Sequence, residues 1–498
     1  MTGTFAAVRP LTRHHLWITL TALLIAAIAC LSNDKIDANN GLGWDGSVYG
    51  AIAKDLSGQV NGGLDRRMVQ RIAPLAAAHV ILRPFVWPIT DGALVRLFTW
   101  VDILAIALTV LLVVKSVEIL GGGLRTKWAA MLALVFSWSV IKWLAFYPVL
   151  TDALGLLLGA ALLLAYLRQR RAWLYALTFL AAFTWPEAYY EGLILTVWQP
   201  LQAREVPPRS RTSHGLTSVL PAVMAAAFVA WAVYLTRPDV YAAIEFNQQP
   251  LWSASVPLAI GLGAAYLFAG TWFLLRAAAP AIVESVRHVF TSRNTWLAGI
   301  CLFVGVEVLF RLLAAKSDNI EARVLPHMVA SGIFRPAVFL IAHAAFFGPV
   351  VALATFGWPR VCRLAAALGP AVPLALGLLL VLALGSESRR HFNFLPLGII
   401  LAVLAVDFDA RPRWVTGLFG ALCTLTSRFW VPIGSVQDGF DNRRLFMNLG
   451  PWLTIDEYLM LLGSVLIVAA VIWTALFSRW SPQATRHPHP FSTRGSVA

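Results

Sequence analysis

Charge is what this sequence has least of: Asp, Glu, Lys and Arg together make up 13% of 498 residues. An ordinary soluble domain carries about 25%. With 59% hydrophobic residues and mean hydropathy +0.71, a water-soluble globule is excluded, since it has too little polar surface to cover its apolar mass. Cysteine is equally sparse. Cys30, Cys301, Cys362 and Cys423 stand singly in or beside apolar runs with no CxxC pair, so neither a zinc site nor a disulfide framework is indicated. No low-complexity segment and no internal repeat of hydropathy occur, and the second absence weighs against an inverted-repeat transporter. The net charge of +14 does not point to nucleic acid, because the basic residues fall in short clusters between apolar runs, as topology signals do.

What is present is a succession of apolar runs long enough to cross ~30 Å of hydrocarbon. Backbone amides in lipid must be paired internally, so the runs are helices and the fold class is all-α, a polytopic transmembrane bundle. The first run, Leu16 to Leu31, follows Arg9, Arg13, His14 and His15, and it reads as an uncleaved span with a cytoplasmic N-terminus. Further spans are predicted near 91–114, 128–146, 149–167, 172–185, 188–200, 216–235, 257–275, 295–313, 336–357, 368–385, 394–410, 413–433 and 457–477. That makes about 14 crossings, with both termini cytoplasmic. Cytoplasmic turns then collect Lys115, Arg125 and Lys127; Arg168, Arg170 and Arg171; Arg204, Arg209 and Arg211; Arg276, Arg287 and Arg293; Arg360 and Arg363; and Arg411 and Arg413. Residues 1–480 form the transmembrane domain, with a first outer loop at about 32–90; residues 481–498, with His487 and His489, form a disordered cytoplasmic tail.

Polar residues on the outer side are the functional candidates. In the first loop Val48, Tyr49, Ile52, Leu56 and Val60 recur at helical spacing, predicting an amphipathic helix along the membrane surface. Before it stands Asp45 between Gly43 and Gly46, which permit close backbone approach. Two roles are open to Asp45: helix cap or chemical group. Arg66, Arg67 and Arg71 break the scarcity of outer positive charge and suit either an anionic ligand or lipid headgroups. They precede Pro74 and an apolar stretch to Pro88 that reads as an interfacial or dipping helix. Asp152 starts an outer helix, where the helix dipole alone would favour a carboxylate. Glu187 sits in the proline-broken hairpin Trp185-Pro186-Glu187, as a ligand group or an arginine's partner. Arg389 and Arg390 at an outer boundary match the bidentate recognition of phosphate, with His391 beside them as an assistant or an interfacial residue. Lys316, Arg323, His327 and Arg335 make another basic outer loop, and Arg443 and Arg444 a third. Within the spans, Asp102, Lys142, Glu307 and Arg311 carry charge, the last two at i, i+4 spacing that suits pairing.

The run Trp44-Asp45-Gly46-Ser47-Val48-Tyr49-Gly50-Ala51-Ile52-Ala53 after the first span resembles the signature of the GT-C class of membrane glycosyltransferases, in its GPI mannosyltransferase (PIG-V-like) branch and bacterial relatives. Arg67 to Pro74, Pro148 to Asp152, the short hairpin with Glu187, and Glu387 to Pro396 follow in that family's order. The resemblance implies a GT-C bundle in a bacterial inner membrane, a polyprenyl-phosphate sugar as donor, and a first-loop acid as base. Asp45 would be that base, and Arg389 and Arg390 would hold the phosphate. Many relatives carry two close acids in this loop, sometimes with a divalent metal; here Asp45 is alone, so no metal or other cofactor is expected. No large soluble domain follows the last span, which favours a lipid or glycan acceptor over a peptide. A multispan transporter or lipid-linked glycan flippase is the alternative, and it would place its working charges near mid-bilayer.

Overall fold

The computed structural model describes residues 11–198, 255–291, 293–316, 335–434 and 453–478, with isolated positions between 219 and 231 and at 332. The expected span 216–235 lies largely outside them, as do Arg323, His327, Arg443, Arg444 and the 481–498 tail. Among the described residues the chain is almost wholly helical. Six helices are long and apolar enough to cross a membrane: Arg13–Ser32, Asp91–Ile119, Val256–Ala279, Trp296–Leu313, Ser388–Ala410 and Ile455–Phe477. Val350–Phe356 and Trp358–Ala367 make a seventh if the pair, bent by 84°, is one span. Other expected spans appear as shorter apolar helices, among them Asp152–Leu167 and Ala371–Leu382. The helix from Val256 runs on to Thr291, through most of the turn expected around 276–294.

Breaks fall where the backbone asks for them. The 336–357 run divides at Gly348, whose φ of +77° suits glycine, followed by Pro349, which cannot donate to the preceding turn. Pro186 opens the second arm of the short hairpin, Pro186–Val197, in the first turn, where an N–H has no partner within the helix.

The packing is inside-out relative to a soluble protein. Along Arg13–Ser32 the buried residues are His15, Ile18, Ala22, Ala26, Ala29 and Cys30, while Leu16, Trp17, Leu20, Leu24, Ile28 and Leu31 are exposed. Small residues face the neighbouring Asp91–Ile119 helix and large apolar ones face outward, as expected where lipid is the solvent and close packing drives association. Asp91–Ile119 packs in turn on Asp152–Leu167, which meets the Ser388–Phe394 turn so closely that a Cβ at Gly159 would overlap the Asn393 carbonyl.

Charged contacts collect at two ends. At one, Glu118 accepts from His15 (3.0 Å) and Lys127 (3.4 Å), and the Asp409 carboxylate takes the N–H groups of Gly123 (2.7 Å) and Arg125 (3.0 Å). At the other lie the first loop, Tyr147 to Asp152, Trp185 to Glu187, and Glu387 to Asn393. Among the described residues one feature departs from an all-α fold: Leu64–Asp65 pairs in parallel with Ala314–Lys316, tying the first loop to the end of the Arg293–Leu313 helix.

Candidate functional site

The first loop is fastened before it reaches Asp45. Lys35 Nζ donates to the carbonyls of Ala145 (2.6 Å) and Cys30, and Ile36 N–H donates to Phe146 O at 2.8 Å. Gly43, at φ +69°, lies flat against the Tyr147 ring, where a Cβ would fall well inside van der Waals contact. Gly46 N–H donates to Tyr147 Oη at 3.2 Å. The close approach expected of these glycines is therefore made, and its partner is Tyr147. Burial pushes the phenols of Tyr147 and Tyr49 up, so both remain neutral hydroxyls.

The expected helix over 48–60 is two helices, Trp44–Lys54 and Leu56–Gly62, broken at Asp55, whose carboxylate accepts from Gly58 N–H at 3.0 Å. Tyr49, Ile52 and Ala53 are buried, and the helix packs on Ile72–Leu82, so its apolar stripe faces protein; Val48, assigned to that stripe, is exposed. The apolar stretch after Pro74 does expose Val80, Ile81, Phe85 and Trp87.

Asp45 stands in the first turn of Trp44–Lys54, but Gly43 is the cap residue and no side chain makes a cap bond there. The Asp45 carboxylate instead accepts from Arg389 Nη2 at 3.0 Å, across 344 residues. Arg389 Nε donates to Glu387 Oε1 at 2.9 Å and Arg390 Nε to Glu387 Oε2 at 2.5 Å. One carboxylate thus holds both guanidinium groups. Burial by itself would raise the Glu387 carboxyl, but Arg390 and Arg389 prevail and hold it down at about 2.

Around this chain of charges stand three more of the expected residues. Asp152 is buried, accepts from Trp143 Nε1 at 2.7 Å, and lies in the electrostatic field of Arg389, Arg71 and Asp45. That environment exceeds what a helix-dipole role requires. Arg71 stacks over Trp185 at 5.5 Å, with the backbone beside it anchored by Ala73 N–H to Phe183 O at 2.9 Å. Glu187 is half-buried, its Oε2 has no hydrogen-bond partner among the described residues, and it faces the charge of Arg390.

Three others sit elsewhere. Arg66 pairs with Glu307 at 2.8 Å and lies over Phe310 at 5.1 Å; Glu307 is thus bound to the first loop and not to Arg311. Arg67 is exposed on the short Arg66–Val69 turn. His391 is buried against His343, ring centroids 5.0 Å apart. Of the mid-span charges, Lys142 donates to Asn33 Oδ1 at 2.7 Å, while Asp102 is buried and its Oδ2 has no hydrogen-bond partner among the described residues. Among the described residues no three His, Cys, Asp or Glu side chains converge as metal ligands.

Sequence reasoning passed over Glu387 as a site residue, along with Trp143, Tyr147 and the buried pair Asn393–Glu191 (Nδ2 to Oε2, 2.8 Å). Only Glu387 carried a signal: an acid next to Arg389 and Arg390. No family model, curated protein or solved structure matches the chain.

Proposed function

We propose that this chain is a GT-C-type integral membrane glycosyltransferase. In this reading it moves a sugar from a polyprenyl-phosphate donor to a lipid or glycan acceptor on the non-cytoplasmic face. The observation that carries the reading is the meeting of Asp45 and Arg389 at 3.0 Å, from opposite ends of the chain, beside Arg390, Arg71 and Asp152. A carboxylate that takes the acceptor's proton, beside guanidinium groups that meet the departing phosphate, is what transfer from a phosphate leaving group requires.

The Asp45 side chain is 35% exposed, and only its Oδ2 is taken by Arg389, leaving Oδ1 for an acceptor hydroxyl. The hydroxyl oxygen attacks the anomeric carbon, its proton passes to Asp45, and the bond from that carbon to the phosphate oxygen breaks. The electron pair leaves with the phosphate, whose second charge is met by Arg389 and Arg390. One in-line displacement through an oxocarbenium-like state inverts the anomeric centre. The positive-inside distribution of the sequence supports placing this end outside and both termini in the cytoplasm, and with it the proposal of about 14 crossings of a bacterial inner membrane.

The test uses purified protein in liposomes with radiolabelled polyprenyl-phosphate sugars, comparing wild type with Asp45→Asn. Label should reach an acceptor only with Asp45 intact; unchanged transfer by the variant would remove Asp45 as base. The buried, unpartnered Oδ2 of Asp102 favours a second reading, a multispan transporter or lipid-linked glycan flippase. Substrate crossing the bilayer without forming a glycoside, and lost in Asp102→Asn, would establish it.

A further inference from the structure

We infer that Glu387 is a positioning residue that sets Arg389 and Arg390 as one phosphate cradle, so that removing its negative charge weakens phosphate binding. The inference rests on the glycosyltransferase reading above. Its basis is which nitrogens are used. Each Nε is spent on Glu387, one per carboxylate oxygen, at 2.9 and 2.5 Å. Arg390 has no other hydrogen-bond partner among the described residues, and Arg389 gives only Nη2 to Asp45. The terminal Nη edge of Arg390 and Nη1 of Arg389 are therefore left for a ligand. A guanidinium fixed at Nε cannot rotate about its long stem, so its remaining N–H groups meet a phosphate with less loss of freedom.

The backbone repeats this economy of motion. Glu387 precedes the Ser388–Phe394 turn, whose Ser388, Phe392, Asn393 and Phe394 are buried. Ser388 Oγ lies 2.8 Å from Nδ1 of buried His343, and Asn393 reaches Glu191 at 2.8 Å. The cradle thus stands on a packed base. The Glu387 carboxyl stays ionised through neutral pH, since the two arginines hold it at about 2.

Simple electrostatics makes the opposite forecast, which makes the inference sharp. A carboxylate near a phosphate repels it, so Glu387→Gln should tighten binding if Glu387 acts only through its charge. The probe is farnesyl phosphate, titrated by tryptophan fluorescence into the full chain in nanodiscs. The inference expects the Kd of Glu387→Gln to rise about tenfold, and Glu387→Asp to recover part of that loss. Should Glu387→Gln fail to fold, Arg390→Lys serves in its place: it keeps the charge, lacks the Nη edge, and should also weaken binding about tenfold. Equal or tighter binding by Glu387→Gln, or by Arg390→Lys where that variant is used, overturns the inference while leaving the transfer reading intact. No binding of farnesyl phosphate by the wild type overturns both.

Discussion

Glu387 lends itself to a pH measurement because its partners are fixed and its shift is large. In an unfolded chain a glutamate titrates near ~4.3, whereas here Arg390 and Arg389 hold it at about 2. A depressed folded value means the stabilisation is complete above about pH 4.3 and disappears as pH falls toward 2. The full amount is on the order of 3 kcal/mol, trimmed by solvent reaching a side chain 21% exposed. Melting curves in detergent should show wild type above Glu387→Gln at neutral pH, with the gap closing below about pH 4. A gap independent of pH would contradict the assignment. The glycines of the first loop make a second pair of expectations. Gly43→Ala meets both the Tyr147 ring and a φ of +69°, which together should cost about 1–3 kcal/mol and displace Asp45. Gly62, by contrast, ends a helix where a methyl group would meet nothing within 4 Å, so Gly62→Ala should be neutral or slightly stabilising. Melting temperatures of the two variants separate these outcomes.

At the scale of elements, two arginines five residues apart are expected to behave oppositely. Arg66 joins the first loop to Glu307 of the Arg293–Leu313 helix, next to the Leu64–Asp65 and Ala314–Lys316 strand pair. Arg66→Ala should lower the melting temperature and leave farnesyl phosphate affinity within about twofold, since the pair is structural. Arg71 stacks on Trp185 and lies in the electrostatic field of Asp152, and Arg71→Ala should weaken that affinity about tenfold with little loss of stability. The reverse pattern would exchange their roles. Periodicity could not have separated them, since both are cations on one short stretch of the first loop. Apolar runs announce helices because length and composition are local properties, and most expected spans are found as helices within a few residues. Pairings made across hundreds of residues leave no local mark. Asp45 and Arg389 were each legible as candidates, yet nothing in either segment says that they touch. The break at Asp55 was legible in principle: Asp55-Leu56-Ser57-Gly58 offers a capping carboxylate three residues before the N–H it takes. The apolar spacing through 48–60 concealed it.

For the whole molecule, every part of the functional reading depends on which side of the membrane the charged site occupies. The fold groups the segments into two ends, and the glycosyltransferase reading needs Asp45 outside, where a polyprenyl-linked donor and an envelope acceptor meet. Ser57 is exposed on the second first-loop helix, and Arg170 is exposed in the turn after Asp152–Leu167, at the opposite end of that helix from Asp152. Three of the four native cysteines are buried, and the exposed one, Cys301, lies in an apolar helix long enough to span. With Cys301 replaced by serine, Ser57→Cys in intact spheroplasts should react with a membrane-impermeant maleimide. Arg170→Cys should react only after the membrane is opened. The opposite labelling would put Asp45, Arg389 and Arg390 in the cytoplasm, where nucleotide sugars are the ordinary donors. The phosphate cradle could then still bind an anion, but the polyprenyl-phosphate donor would lose its topological argument.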